Sequence, residues 1–260
     1  MSAQATHAQL AQHGLRSIAV VGRGRLGTAI APALRNAGFD VIGPLGRGER
    51  AAADAVLLCV PDSQIAAAAA AITGCAPLVG HTSGATPLSA LEPARGERFG
   101  LHPLQTFTGG DGPESFTGVG CAVGGSSERA LDAAMEIAGA LGMRPFELAD
   151  EQRAAYHAAA SIASNFLVAL ESAAETVAGS AGLPPERTRE LLAPLVRATV
   201  ENWADLGPER ALTGPVARGD ELTVAKQRTA LREHTPELLP LFDALVAQAR
   251  AVAGRGEAAA

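Results

Sequence analysis

With 260 residues, 47% of them hydrophobic, the chain can bury the core of one large domain or two smaller ones, which excludes disorder for most of its length. A formal charge of −6 and a pI near 5.5, with basic residues scattered rather than clustered, exclude the electrostatic footprint of a nucleic-acid binder. The longest uncharged small-residue run, Ser63 to Pro77, is broken by Gly74 and too alanine-rich to span a bilayer, and Cys59, Cys75 and Cys121 have no metal spacing, as expected of reduced thiols.

In chain order, residues 1–14 lack a basic start and an apolar signal core and are expected as a disordered polar extension of a cytoplasmic protein. Ile18–Val21 then reads as a short apolar strand running into Gly22-Arg-Gly-Arg-Leu-Gly27, with helical apolar spacing from Thr28 to Ala37. At such a junction the first glycine permits the tight turn, the second lets the backbone approach a pyrophosphate, and the third lets helix and strand pack closely. Free N–H groups at the helix start meet the phosphates, which places Gly22, Gly24, Arg25, Leu26 and Gly27 at a dinucleotide. A bare glycine triplet also occurs in ligand-free turns; here the strand before it and the helix after it supply the context.

Further strands are expected at Val41–Ile42, Ala55–Val60, Leu78–Gly80, Phe99–His102 and Val119–Val123, alternating with helical stretches, so residues 15–149 form a doubly wound parallel sheet with right-handed crossovers. From Asp150 onward strand signals vanish, and periodic alanine- and leucine-rich segments near 151–180, 185–205, 221–233 and 236–253 predict an all-helical domain over 150–254, followed by a low-complexity tail, 255–260. The end of the second strand decides the nucleotide, because an acid there binds the ribose hydroxyls of NAD and an arginine favours the extra phosphate of NADP. Gly46-Arg-Gly-Glu-Arg50 offers Arg47 and Arg50 and points to NADP; Glu49 as a hydroxyl ligand leaves NAD open.

Two segments lie at strand ends, where open sheets bind ligands: Val60-Pro-Asp62 after the third strand and Leu101-His-Pro-Leu-Gln-Thr-Phe107 after the fifth. With them the chain resembles the 6-phosphogluconate dehydrogenase superfamily, in which a V-P-D segment passes beneath the nicotinamide ribose, so Val60 and Pro61 are implied at the cofactor. More closely it resembles a family that joins a Rossmann-like domain to a C-terminal helical domain of unknown function. That likeness rests on Gly22–Gly27, His81-Thr-Ser-Gly84, Leu101–Phe107, Ala155-Tyr-His157 with Ser164-Asn165, and Leu212–Asp220. Ketopantoate reductase, pyrroline-5-carboxylate reductase and prephenate dehydrogenase are more distant analogues, the last through a His-Pro pair similar to His102-Pro103. Ser161 and Asn165 fall at the spacing of the Lys-x-x-x-Asn motif of ketopantoate reductase, but the lysine is absent and Lys226 is the chain's one lysine.

The residues themselves add an argument. On a helix over 153–171, His157, Ser161, Ser164 and Asn165 share a wedge of roughly 100°, a polar stripe that either binds a polar ligand or bonds neighbouring helices. Tyr156 points to a different face from Ser161 and reads as packing. Reduction of a carbonyl or imine needs a proton donor, and His102, at a strand end, and His157 are the candidates, with Asn165 beside them and Ser83 lining the cofactor pocket. In Leu212–Asp220, Arg218 either clamps a substrate carboxylate beside Asp220 or forms an ion pair that shapes the turn.

The expectation is an NADP-dependent oxidoreductase acting on a small carbonyl, imine or hydroxy-acid substrate, probed first as ketopantoate, bound between two domains, with a homodimer through the helical domain and no metal, membrane or nucleic-acid partner. A nucleotide-binding sensor without turnover, and a flavin site, are the alternatives.

Overall fold

A computed structural model describes residues 14–259. Of the expected extension over 1–14, only Gly14 is among the described residues. The chain divides into two compact units, Met1–Ser164 and Asn165–Ala260.

The first unit is a seven-stranded sheet in the order β2-β1-β3-β4-β5-β6-β7. Its strands are β1 (Ser17–Val21), β2 (Asp40–Leu45), β3 (Ala55–Leu58), β4 (Leu78–His81), β5 (Glu97–Pro103), β6 (Gly120–Gly125) and β7 (Arg144–Glu147), and its helices α1 (Arg25–Asn36), α2 (Ile65–Ala71), α3 (Glu128–Ala140) and α4 (Arg153–Ala163). The central strands are apolar throughout because both faces are covered. Ile18, Val20, Leu57, Phe99 and Leu101 join α1 and α3 in one core, whereas Ala19, Val21, Val56, Leu58 and Val79 pack on α2 and the 3₁₀ turn Leu88–Ala94.

The sheet is parallel except for one pair. β5 and β6 run antiparallel, with Gly100 opposite Gly124 and His102 opposite Ala122. The segment between them, 104–119, holds only the 3₁₀ turn Pro113–Phe116, and a parallel return needs a crossover element that this segment lacks. β7 carries no apolar run: all four of its residues are exposed, as suits an edge strand, which hides it from a search for hydrophobic patterns.

The continuous helix expected over 151–180 is interrupted. α4 ends at Ala163, Ser164 adopts φ −123° and ψ −73°, and a new helix, α5 (Asn165–Ser180), begins. The boundary therefore falls at 164/165 rather than near 149/150: α4 belongs to the sheet unit, where its first residue, Arg153, is 1% exposed.

The second unit comprises α5, α6 (Pro185–Leu206), two single-turn helices α7 (Pro208–Ala211) and α8 (Gly214–Ala217), α9 (Glu221–His234) and α10 (Leu239–Ala259). The residues expected as a tail continue α10 to Ala259. α9 and α10 pair through Arg228–Asp243, whose two N–O distances are both 2.8 Å, and Arg250–Glu221 at 2.6 Å; Arg189–Glu175 joins α6 to α5 at 2.9 Å. Few of this unit's apolar residues are buried. Leu191, Leu195 and Trp203 recur at helical spacing along α6 and are 48%, 64% and 57% exposed. No helix among the described residues is long and apolar enough to cross a membrane.

Candidate functional site

The turn between β1 and α1 shows why three glycines stand there. Gly22 has φ +121°, and a Cβ on it would overlap the Cys59 carbonyl oxygen; a Cβ on Gly27 would overlap the carbonyl oxygen of Gly22. Both are required by packing of the protein against itself. Gly24 is different: its φ of −75° and ψ of 179° suit any residue, and a Cβ there would meet nothing within 4 Å. Gly24 is also the N-cap of α1, with no side-chain cap and no acidic residue in the first turn, so the orphan N–H groups of the helix start stay open beside unfilled space.

That space belongs to a cavity of about 710 Å³, within the range of small-ligand and cofactor sites. It is lined by Val21 to Gly24, by the loop after β2 with Gly46, Arg47 and Glu49, by the segment after β3 with Val60, Pro61, Ser63 and Gln64, and by Ala67, Ala68 and Ala71 of α2 with Ile72 after it. Of the expected cofactor residues, Gly22, Gly24, Arg47, Val60 and Pro61 line it. Gly27 lies behind the turn, Arg25 and Leu26 are outside the lining, and Arg50 turns away to donate to the Thr73 carbonyl at 2.7 Å. Arg23, Glu49 and Gln64 line it as well. A helix N-terminus, an unfilled glycine and two guanidinium groups at one end form a donor set that fits a dinucleotide carrying phosphates. The Cys59 thiol, which also lines the cavity, is pushed up to about 12 by burial and stays protonated.

Asp62, between Pro61 and Ser63, turns out of the cavity and links it to a second cluster. Its Oδ2 accepts the Ser83 hydroxyl at 2.8 Å. Ser83 is 6% exposed and also receives the backbone N–H groups of Ala85 and Thr86, so its hydroxyl is committed inside the protein rather than to the cavity expected for it. Each residue of His81–Gly84 has such a task. The Ser83 N–H donates to His81 Nδ1 at 3.2 Å, Thr82 donates to the Leu58 carbonyl, and Gly84 leaves room for the His102 ring, whose Cε1 would lie 2.8 Å from a Cβ there.

His102, the second-to-last residue of β5, meets Tyr156 of α4: Nδ1 and the phenol oxygen are 2.7 Å apart, and the rings pack edge to face. Tyr156, read from sequence as packing, is thus the polar partner of the histidine. His157 lies next to it, its ring centroid 6.2 Å from that of His102. Beneath them lies Arg153, which the sequence reading missed. Its Nε pairs with Asp150 at 2.6 Å, its Nη1 lies 3.5 Å from the Ser83 carbonyl, and its Nη2 has no hydrogen-bond partner among the described residues. Gly100 and Gly124, opposite each other on β5 and β6, make room for the guanidinium: a Cβ on them would lie 2.5 and 3.2 Å from Nη2. Facing glycines in adjacent strands were the sequence signal for a large group laid on the sheet.

The electrostatics follow. Burial, then the charges of His157 and Arg153, push His102 down to about 4; burial and then Arg153 do the same to His81. Burial raises the Tyr156 phenol to about 12. His102 and Tyr156 are therefore both uncharged at neutral pH.

The remaining candidates separate. Ser161 and Ser164 are half-buried near the end of the sheet unit, while Asn165, exposed, opens the helical unit. Asp220 caps α9, its oxygens accepting the Thr223 N–H at 3.1 Å and hydroxyl at 2.7 Å. Arg218 is exposed beside it, and Glu221 pairs instead with Arg250.

The family profile described as "Domain of unknown function (DUF2520)" matches residues 119–249. The chain belongs to the DUF2520 family. Among solved structures, this DUF2520 chain is similar to putative NADP oxidoreductase BF3122 from Bacteroides fragilis, at 23% identity over 92% of this chain and 99% of that one, with a TM-score of 0.76. It is similar to TM1727 from Thermotoga maritima at 26% identity, with the same coverage and a TM-score of 0.75. A Plasmodium falciparum pyrroline carboxylate reductase, solved with NADP bound, shares the fold at 12% identity and a TM-score of 0.59, over 93% of this chain and 99% of that one. No curated protein matches the DUF2520 chain.

Proposed function

We propose that the chain is an NAD(P)-dependent oxidoreductase that moves hydride to or from a small carbonyl, imine or hydroxy-acid substrate. The observation that carries this reading is the glycine turn: Gly24, needed by no packing contact, leaves the start of α1 bare in the lining of a 710 Å³ cavity. Two arginines at the adenosine end, Arg23 and Arg47, favour NADP, in keeping with the NADP named for the Bacteroides fragilis and Plasmodium falciparum proteins.

When bound, the nicotinamide supplies the hydride. The chain supplies the proton. Tyr156 donates its phenolic proton to the substrate oxygen or nitrogen that gains negative charge, and the His102 Nδ1–H, in the tautomer that carries it, steadies the phenolate left behind. Burial first, and then the charges of His157 and Arg153, keep His102 from taking a second proton. His157 lies within reach of the same substrate, and Ser161 lies one turn further along α4. Tyr156 and His102 together take the place of the missing motif lysine. In the helical unit, Asp220 is committed to the cap of α9. The exposed stripe Leu191, Leu195 and Trp203 supports pairing of the helical unit with a second copy.

The test is oxidation of NADPH, followed by absorbance, against a panel of small 2-oxo acids and cyclic imines that begins with ketopantoate. Turnover of one member that is lost in Tyr156→Phe supports the reading. NADPH binding without turnover of any member leaves a nucleotide-binding sensor.

A further inference from the structure

The adenosine end of the cavity holds a carboxylate where a phosphate is expected. Arg23 Nη2 lies 3.0 and 2.8 Å from the two oxygens of Glu49, and Glu49 Oε2 also accepts the Gly46 N–H at 2.6 Å. The guanidinium is held in place, with Nε donating to the Pro44 carbonyl at 3.2 Å and Nη1 3.0 Å from where a Cβ on Gly46 would sit. Arg47, the second cation, donates to the neutral Gln64 at 3.2 Å and has no carboxylate partner among the described residues. One guanidinium nitrogen reaching both oxygens and a backbone N–H converging on the same oxyanion are donors of the kind that a phosphate monoester takes. The carboxylate is kept ionised by the Gly46 N–H first and by Arg23 beside it.

We propose that Glu49 is an internal stand-in for the 2′-phosphate of NADP and sets the cofactor selectivity of this cavity. The inference rests on the dinucleotide reading above. NADP has to displace Glu49 from Arg23 and from the Gly46 N–H, leaving two like charges close together. NAD carries a ribose hydroxyl at that place, which donates to the carboxylate and leaves the ion pair intact. Selectivity for NADP is therefore capped, although two arginines face the site.

The test is calorimetric titration of the full chain with NADPH and with NADH, which differ only in the 2′-phosphate, for the native protein, Glu49→Gln, and Glu49→Gln combined with Arg23→Ala. Glu49 is an exposed loop residue, and an unchanged melting temperature will verify that the variants fold. Glu49→Gln is expected to tighten NADPH about tenfold, the effect of removing one nearby like charge at a partly screened site, while NADH stays the same or weakens. Adding Arg23→Ala is expected to abolish the NADPH gain and spare NADH. If Glu49→Gln leaves the NADPH-to-NADH ratio unchanged while both bind, the Glu49 proposal fails and the cavity reading stands. If neither nucleotide binds any of the three proteins, both fail.

Discussion

Gly24→Asp separates the ligand role of the turn from its structural role. Gly24 sits at the N-cap of α1 with φ −75° and ψ 179°, a conformation open to aspartate, and space for the side chain is free to 4 Å. Aspartate caps helices about as well as glycine or better, so stability is expected to change by no more than about 0.5 kcal/mol, or about 2 °C in melting temperature for a chain of this size. Its carboxylate, however, takes the N–H groups left to the pyrophosphate and opposes its charge. Binding of NADPH is expected to weaken at least about a hundredfold, the worth of two lost charge-assisted hydrogen bonds. Gly27→Ala is the control in the opposite sense: its Cβ would overlap the Gly22 carbonyl oxygen, and moving that backbone costs about 1–3 kcal/mol or more, roughly 3–10 °C. Thermal unfolding followed by circular dichroism, with calorimetric titration of NADPH, measures both. A Gly24→Asp protein that melts as low as Gly27→Ala, or that binds NADPH like the native chain, would refute this division of roles.

Other outcomes follow from the second cluster and the helical unit. Tyr156→Phe should lower kcat about a hundredfold or more with little change in KM, because it removes a proton donor and not a binding contact; equal losses in Ala155→Ser would point to general disturbance of α4. His81 and His102 have folded values near 4 against about 6.5 unfolded, so the unfolded chain binds more protons between those limits and stability falls as pH drops from 6.5 to 4. The loss amounts to about 3 kcal/mol for fully buried His81 and less for His102; urea unfolding at pH 7, 5.5 and 4.5 should show it, and His81→Asn should flatten it. Gly100→Ala pushes a Cβ to 2.5 Å from the buried Arg153 guanidinium and should destabilise the chain by about 2 kcal/mol, whereas Gly139→Ala, with open space around it, should not. If the α6 stripe pairs two copies as proposed, the native chain should show twice the monomer mass in light scattering and Leu195→Glu the monomer mass; an equal mass for both would exclude the α6 stripe as the contact.

The parts of the molecule legible in the sequence are those decided by neighbours in the chain. A strand, three glycines and a helix occupy Ser17 to Asn36 without a break, and the turn they form follows from the backbone freedom and the space that glycine alone provides. The strand character of Ala55–Leu58 and Phe99–His102 was legible for the same reason. What their side chains do was not, because it depends on groups far along the chain. Ser83 meets Asp62 across two strands, and Tyr156 meets His102 from a helix whose own wheel places it on a plain packing face. Arg153 looks like any cation near a domain boundary until the glycines at 100 and 124 are seen to face one another. The break at Ser164 has no proline or glycine to announce it, and it coincides with the change from one compact unit to the other.

The central claim is that the cavity at the glycine turn binds a nicotinamide dinucleotide, and calorimetric titration of the native protein with NADPH tests it most directly. Saturable binding at one site per chain, weakened selectively relative to NADH by Arg47→Ala, is the predicted result. An absence of heat with both nucleotides, for a protein shown to be folded by its melting transition, would contradict the account.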